Sequence, residues 1–513
     1  MNLDHRASLD VRTPVVMVCL LVPWLNPFAP GPSASVMPWL VSVFCAVIAW
    51  ALIREGDAQA APGHWTRLVA ASWLAAALAS SVIGLIQYFS LAAHFSPLVS
   101  STSTGEAFAN LRQRNQFASL TAIGVAAMLW WAPRITNRWA VAGMVLLAVG
   151  NAASASRTGL LQLVMLTLFT AIWGGPERRR RLALCLAAGA AYVVAALLLP
   201  LLLNAATGVI PDTVWVRLTR GDGCSSRAVL WSNVIDLTLQ KPWLGWGWGE
   251  LDYAHYMTLY PGERFCDILD NAHNLPLHLG VELGIPAALV ICGVFLWAVV
   301  RARPWREADP TRQLAWSVMA VILLHSMLEY PLWYGPFQIA FVACIAFLWL
   351  APVTAASPAQ AHWQRAALRR LMVAVLLITT CYAAWDYRRI SQLYLAPEAR
   401  VPAYRDDTID KVKGSRLFRA QVDFAELTTT PLSRDNAQWT LDTALALLHF
   451  SPEPRVIEKA IESAVMLGRD DVALAQLARY RAAFAADHRR WAAGIGCAAP
   501  DARGAAGCAP VKN

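Results

Sequence analysis

Asn271-Ala272-His273-Asn274 opens a polar stretch that runs through His278 and Glu282 to Gly284. Histidine has an ordinary pKa of about 6.5, so His273 can accept a proton at neutral pH and serve as a general base. If the segment is helical, His278 and Glu282 lie one turn apart on one face. The same residues also suit a helix start at a membrane interface, with histidine as a solvated polar group. His325 and Glu329 repeat the four-residue spacing in Leu324-His325-Ser326-Met327-Leu328-Glu329-Tyr330. An ionisable side chain within an apolar helix is costly, so this pair is either functional or a lock between helices. Three further groups are Arg112-Gln113-Arg114-Asn115-Gln116, Ser154-Ala155-Ser156-Arg157-Thr158-Gly159, and the arginines Arg217, Arg220, Arg227 and Arg264. A guanidinium grips phosphate oxygens in pairs and keeps its charge, so converging arginines point to an anionic ligand such as a lipid diphosphate. The sequence carries no metal-ligand spacing, no DxD pair in that region, no Walker loop and no dinucleotide fingerprint. No metal and no cofactor are expected, and the driving energy must come with the substrate or from a gradient.

These residues must be positioned by a chain of 513 residues that is 57% hydrophobic and 15% charged. A soluble globular chain carries about 25% charge. Of the 77 charged residues, 33 fall in 387–513, which divides the chain into a membrane domain, 1–386, and a soluble domain, 387–513. Eleven apolar segments approach the roughly 20 residues that a bilayer requires. They lie near 13–29, 37–53, 67–93, 115–133, 139–153, 158–175, 182–203, 284–300, 315–330, 336–352 and 369–386. No cleavable signal peptide is evident. Arginines cluster on alternate loops, notably Arg178 to Arg181 and Arg301 to Arg312, which by the positive-inside rule puts the N-terminus in the cytoplasm. The loop from about Asn204 to Gly284 and the tail then face the periplasm. The net charge of +9 reads as topology and contact with anionic membrane lipid, not as nucleic-acid binding.

A loop of that length must be functional or have structure of its own. Arg227 to Gln240 reads as an amphipathic helix ended by Lys241-Pro242, followed by the turn-rich Gly245-Trp246-Gly247-Trp248-Gly249. Cys224 and Cys266 share this loop and could pair in an oxidising compartment, with Cys497 and Cys508 a second candidate pair in the tail. In the tail, Ser451 and Pro452 suit a helix start and Gly468 its end, with a second helix at 471–484. That is one antiparallel hairpin of tetratricopeptide type, without a repeat array.

Taken in order, these stretches resemble a known superfamily: the bacterial O-antigen ligases, the Wzy polymerases and the PglL-type protein O-oligosaccharyltransferases. The matching residues are Ser154 to Gly159, Arg227 with Trp231, Pro242 to Gly249, His273-Asn274 and Glu282-Leu283-Gly284. The Arg112 to Gln116 stretch, the His325 to Tyr334 block and the helical tail resemble the PglL-type branch. The resemblance implies an all-α, polytopic, GT-C-like glycosyltransferase of the inner membrane that uses no metal. It implies transfer of an oligosaccharide from undecaprenyl diphosphate to a Ser or Thr hydroxyl of a periplasmic protein, pilin being typical. Lipid A core as acceptor (ligase) or chain extension (polymerase) are the alternatives within the class; a lipid or glycan transporter is the alternative outside it. Carried over by motif, His273 is the base and Arg227 binds the diphosphate, with Arg264 or Arg220 as the second contact and Arg157 on the same face. Gln113, Asn115, Asn274, Glu282, His325, Glu329 and Tyr330 complete the implied site.

Overall fold

A computed structural model describes residues 12–53, 63–219, 223–349 and 359–498. No strand occurs among the described residues. Arg220 and Cys508 lie outside them, as do the side-chain details of Cys497. Each of the eleven apolar segments coincides with a helix. Among the described residues, four helices are long and apolar enough to cross a membrane: His64–Tyr88, Arg178–Thr207, Ile285–Arg306 and Trp363–Tyr394. Arg12–Leu25, Val36–Leu52, Arg157–Ile172 and Gly335–Trp349 are apolar but shorter.

The chain divides into two compact units, 1–220 with 295–385, and 221–294 with 386–513. The first is a bundle built around helix Arg114–Trp131, in which every residue from Asn115 to Trp130 is buried. Burial on every side makes it the interior helix of the bundle. Helices His64–Tyr88, Asn137–Ala153, Arg157–Ile172 and Pro310–Ser326 surround it. Small residues set the crossings, because apolar lipid gives helices no hydrophobic reason to associate and close packing must do so. A Cβ on Gly124 would stand 2.4 Å from Ala77 Cβ, and one on Gly84 would stand 2.6 Å from the Phe117 ring.

In the second unit, loop residues and tail share a fold. Loop helices Arg227–Gln240, Leu251–Met257 and Leu275–Leu283 enclose a small core of Leu230, Val234, Leu237, Phe265, Ala272 and Val281. The disulfide Cys224–Cys266 ties the start of the first of these helices to the segment that leads to His273, with Cα atoms 5.5 Å apart.

The tail departs from the sequence reading in two ways. Its helices form two hairpins, Arg419–Thr429 with Ala437–Leu447 and Pro454–Met466 with Asp470–Ala483, and a further helix, Ala485–Ala498. Their spacing is roughly the 34 residues of a tetratricopeptide unit. The upstream hairpin is hard to read from sequence because each of its helices is only 11 residues long. The later hairpin begins at Pro454, not Pro452. Pro454 takes the first helical position, where its missing N–H costs nothing, while the Ser451 hydroxyl donates to Glu453 Oε1 at 2.8 Å instead of capping. Gly468 does end the helix, at φ +70°.

The crossing at Gly124 gives a direct test of the bundle. Gly124→Val should lower the Tm of the detergent-solubilised protein by the equivalent of about 1–3 kcal/mol, the usual cost of overpacking. Gly189→Ala, where a Cβ meets nothing within 4 Å, should leave Tm unchanged or slightly raised.

Candidate active site

The loop site is built on the start of helix Leu275–Leu283. Asn274 caps it, its Oδ1 accepting the Leu277 N–H at 3.2 Å, and Pro276 occupies the first turn. The tight approach turns the chain through a left-handed residue, and that residue is His273, at φ +50°. Histidine enters this region more readily than most residues but still at a cost, and such strain gathers at functional sites. The turn is held because Asn271 Oδ1 accepts the His273 N–H at 2.9 Å. His273 is half-buried between the buried Asn271 and Asn274. Trp231 Nε1 donates to the Ala272 carbonyl at 3.1 Å, joining helix Arg227–Gln240 to the residue before His273. Arg227 lies one turn before Trp231 on the same face, at the helix start that Ser226 caps. The structure therefore ties the helix that begins at Arg227 to the residue before His273.

The far end of helix Leu275–Leu283 is clamped by the strap Pro242–Gly249. Trp246 N–H donates to the Val281 carbonyl (2.9 Å), Gly247 N–H to the Glu282 carbonyl (3.0 Å), and Ile285 N–H to the Pro242 carbonyl (2.8 Å). The approach leaves no room for side chains: a Cβ on Gly245 would sit 2.3 Å from the Glu282 oxygen, and one on Gly284 2.3 Å from the Trp243 oxygen. Glu282 adds a side-chain contact, Oε1 accepting the Gly249 N–H at 3.0 Å. Its Oε2 lies 3.4 Å from His278 Nε2, as the four-residue spacing predicts.

Both side chains of that pair are about 2% exposed. Burial raises the Glu282 carboxyl to about 7, with Asp252 and Glu250 adding to the rise. Burial lowers His278 to about 4, with His273 adding to the fall. Between about pH 4 and 7 both groups are thus neutral, and the pair is a close contact, not an ion pair. Burial also raises Asp252 to about 7.

Arg264 is placed differently from Arg227. Its Nη1 and Nη2 donate to the Thr258 and His255 carbonyls, both at 2.9 Å. His255 is buried; its Nε2 meets the Phe265 carbonyl at 3.1 Å, so that nitrogen carries the hydrogen and Nδ1 accepts from the Tyr260 hydroxyl at 2.9 Å. Glu250, Asp252 and His255 were not singled out from the sequence. Their only local signal is the close spacing of Asp252, His255 and the tyrosines within one short helix.

The remaining residues of the sequence reading lie in the first unit. Asn115 Nδ2 donates to Glu329 Oε1 (3.1 Å) and Asn115 Oδ1 accepts from the Ser156 hydroxyl (2.6 Å). Ser119 Oγ lies 2.9 Å from His325 Nδ1, and Gln162 Nε2 donates to Ser119 at 2.8 Å. All six are buried, and together they tie helices Arg114–Trp131, Arg157–Ile172 and Pro310–Ser326. The Ser154 to Gly159 motif is the corner that makes this possible. Ser156 caps the following helix, and a Cβ on Gly159 would stand 2.5 Å from Asn151 Oδ1. Arg157 Nη1 donates to the Arg217 carbonyl and Arg217 Nη1 to the Ala155 carbonyl, so two loop-end arginines stand together. Gln113 caps helix Arg114–Trp131 through the Gln116 N–H at 2.7 Å. Tyr330 stacks on Tyr334 with ring centres 5.9 Å apart.

Comparison with known proteins places these features. Residues 107–132 match the protein glycosylation ligase model, 142–292 the O-antigen ligase model, and 313–494 the C-terminal model of the virulence factor membrane-bound polymerases. The O-antigen ligase match contains the Ser154 corner, Arg227, the strap and His273. Over 142–292 the chain is therefore similar to the O-antigen ligases. Among curated proteins the chain is similar to the general O-oligosaccharyltransferase of Acinetobacter baylyi, 27% identical over 279 residues. That match covers 51% of this chain and 47% of the relative. The ComP-specific O-oligosaccharyltransferase of the same organism is 24% identical over 245 residues, covering 47% of this chain and 44% of the relative. The matched region thus spans about half the length of these relatives. The O-antigen ligase match and the apolar helices together point to a membrane-integral protein.

The Glu282 site predicts a pH dependence. Its folded pKa lies above the unfolded value of about 4.3, so its contribution is complete below that value and is lost as pH rises through about 7. Asp252, also raised to about 7, acts in the same sense and His278, lowered to about 4, acts against it below about pH 6.5, so the site's net contribution to wild-type Tm should fall between pH 5 and 8. Glu282→Gln should flatten that profile by on the order of 2 kcal/mol, read as Tm against pH in detergent.

Proposed function

We propose that this protein transfers an oligosaccharide from undecaprenyl diphosphate to Ser or Thr hydroxyls of a periplasmic protein of pilin type. About eleven helices cross the inner membrane in this reading, with the N-terminus cytoplasmic. Residues 1–386 form the membrane domain, and the loop near 204–284 and the helical tail 387–513 face the periplasm. The observation that carries the reading is the Trp231–Ala272 hydrogen bond, which sets the capped start of an Arg227 helix beside a strained histidine.

His273 accepts the proton of the acceptor hydroxyl as its oxygen attacks the anomeric carbon. The bond from that carbon to the diphosphate oxygen breaks in line, so the configuration inverts and the lipid diphosphate leaves with the electron pair. Arg227 stabilises the charge gained by the leaving group. Arg264 supports the same loop through the His255 and Thr258 carbonyls, and Arg220 is the other candidate for a second phosphate contact. Asn274 and Glu282 hold the turn and the helix behind His273. Gln113, Asn115, Arg157, His325, Glu329 and Tyr330 form a separate polar set in the first unit, where Arg157 offers a further cation for phosphate. The names of the two relatives support a protein acceptor, as does a helical tail large enough to dock a folded substrate.

Reconstitution with lipid-linked oligosaccharide and two acceptors, a Ser-rich pilin and lipid A core, tests this. Transfer to pilin is expected; transfer to the core alone would convert the reading to an O-antigen ligase. His273→Ala should lower pilin transfer by about 10²–10⁴-fold with membrane expression intact. Wild-type activity in that variant removes His273 as the base.

A further inference from the structure

Helix Leu251–Met257 is seven residues long and belongs to two cores at once. Leu251 and Ala254 pack with Leu230, Val234 and Ala272, beneath the turn that carries His273. Tyr256, with Tyr253 and Met257 beside it, packs in the tail with Phe424, Ile457 and Tyr480. So short a helix has no stability of its own, and its place is set by what it packs against.

Three polar contacts fix it to the tail. The Tyr256 hydroxyl donates to Gln476 Oε1 at 2.8 Å, and Arg479 Nε donates to the Met257 carbonyl at 3.2 Å. At the other end, His449 Nδ1 lies 2.7 Å from Glu250 Oε2, and its ring lies flat on Tyr253, centroids 3.6 Å apart. With a carboxylate as partner, Nδ1 is the donor. Glu250 directly follows Gly249, the residue that Glu282 holds. A continuous path therefore runs from the tail through Glu250 and the strap to helix Leu275–Leu283 and the turn at its start.

We infer that the tail is a positioning element of the transfer loop and that His449 is a positioning residue: it clamps Glu250, and through the strap it sets the register of the His273 turn. This rests on reading His273 as the base. It also makes the tail part of the site's own fold, whatever docks on its outer surface.

The test uses the full chain in lipid nanodiscs, as wild type, His449→Ala, His449→Asn and Glu250→Ala. Hydrogen exchange is followed over 242–257 and 270–284, together with kcat and acceptor KM. An asparagine amide can donate from nearly the position of Nδ1, so it tests the contact and not the ring. Because the pair is partly exposed, both alanine variants should raise exchange in the two segments by about five- to tenfold. They should lower kcat to a similar extent and leave KM within about twofold, since a displaced base slows chemistry without weakening binding. His449→Asn should recover most of the protection and of kcat. Unchanged exchange over 270–284 in either alanine variant, or an Asn variant no better than Ala, overturns the inference. If His449→Ala unfolds the hairpins, Glu250→Ala decides, because it leaves the tail untouched. A wild type without transfer activity removes the transferase reading alone, and exchange then decides the clamp by itself.

Discussion

The backbones at Gly245 and Gly284 touch, and the loop depends on that contact. Helix Leu275–Leu283 is nine residues long, too short to hold its place by propensity. It is held because the strap lies directly on its last turn, donating from Trp246 and Gly247 and accepting from Ile285. Such an approach is possible only where both chains lack a Cβ, and both glycines adopt positive φ. The glycine-tryptophan alternation of the strap follows from this. The glycines allow the contact, while Trp246 anchors the strap through Leu237 and beneath Lys241. Once the end of the helix is fixed, its capped start is fixed too, and with it the strained His273.

The first unit solves a different problem. Its central helix is apolar on all sides yet carries Asn115 and Ser119, and polar groups in such surroundings are tolerated when they find partners. Asn115 uses both ends of its amide, on Glu329 and Ser156, and Ser119 meets His325 and Gln162. Two of these contacts join the central helix to helix Arg157–Ile172 and its cap and two join it to helix Pro310–Ser326 and the turn that follows, so the polar set specifies how three helices pack while small residues let them approach.

What the sequence made legible was local. Arg227–Gln240 could be read because its apolar residues recur at amphipathic spacing and Lys241-Pro242 ends it, and the His278–Glu282 contact follows from helical spacing alone. The apolar runs marked helices well, because few other structures accommodate them. What stayed hidden was long-range. Glu250 and His449 are 199 residues apart, and nothing in either neighbourhood names the other. Nor does the sequence show that the Arg264 guanidinium donates to the His255 and Thr258 carbonyls. The upstream tail hairpin was missed because its helices are short and their apolar faces are completed by the loop's Tyr256.

The central claim is that the backbone contact at Gly284 holds His273 in a working position. Single-turnover transfer by Gly284→Ala, with hydrogen exchange over 454–483 as a control for folding, tests it most directly. The added methyl would meet the Trp243 oxygen at 2.3 Å. The account predicts a rate at least ~10²-fold lower, as a misplaced catalytic group produces, with the tail hairpins still protected. A rate near wild type with those hairpins protected would contradict it.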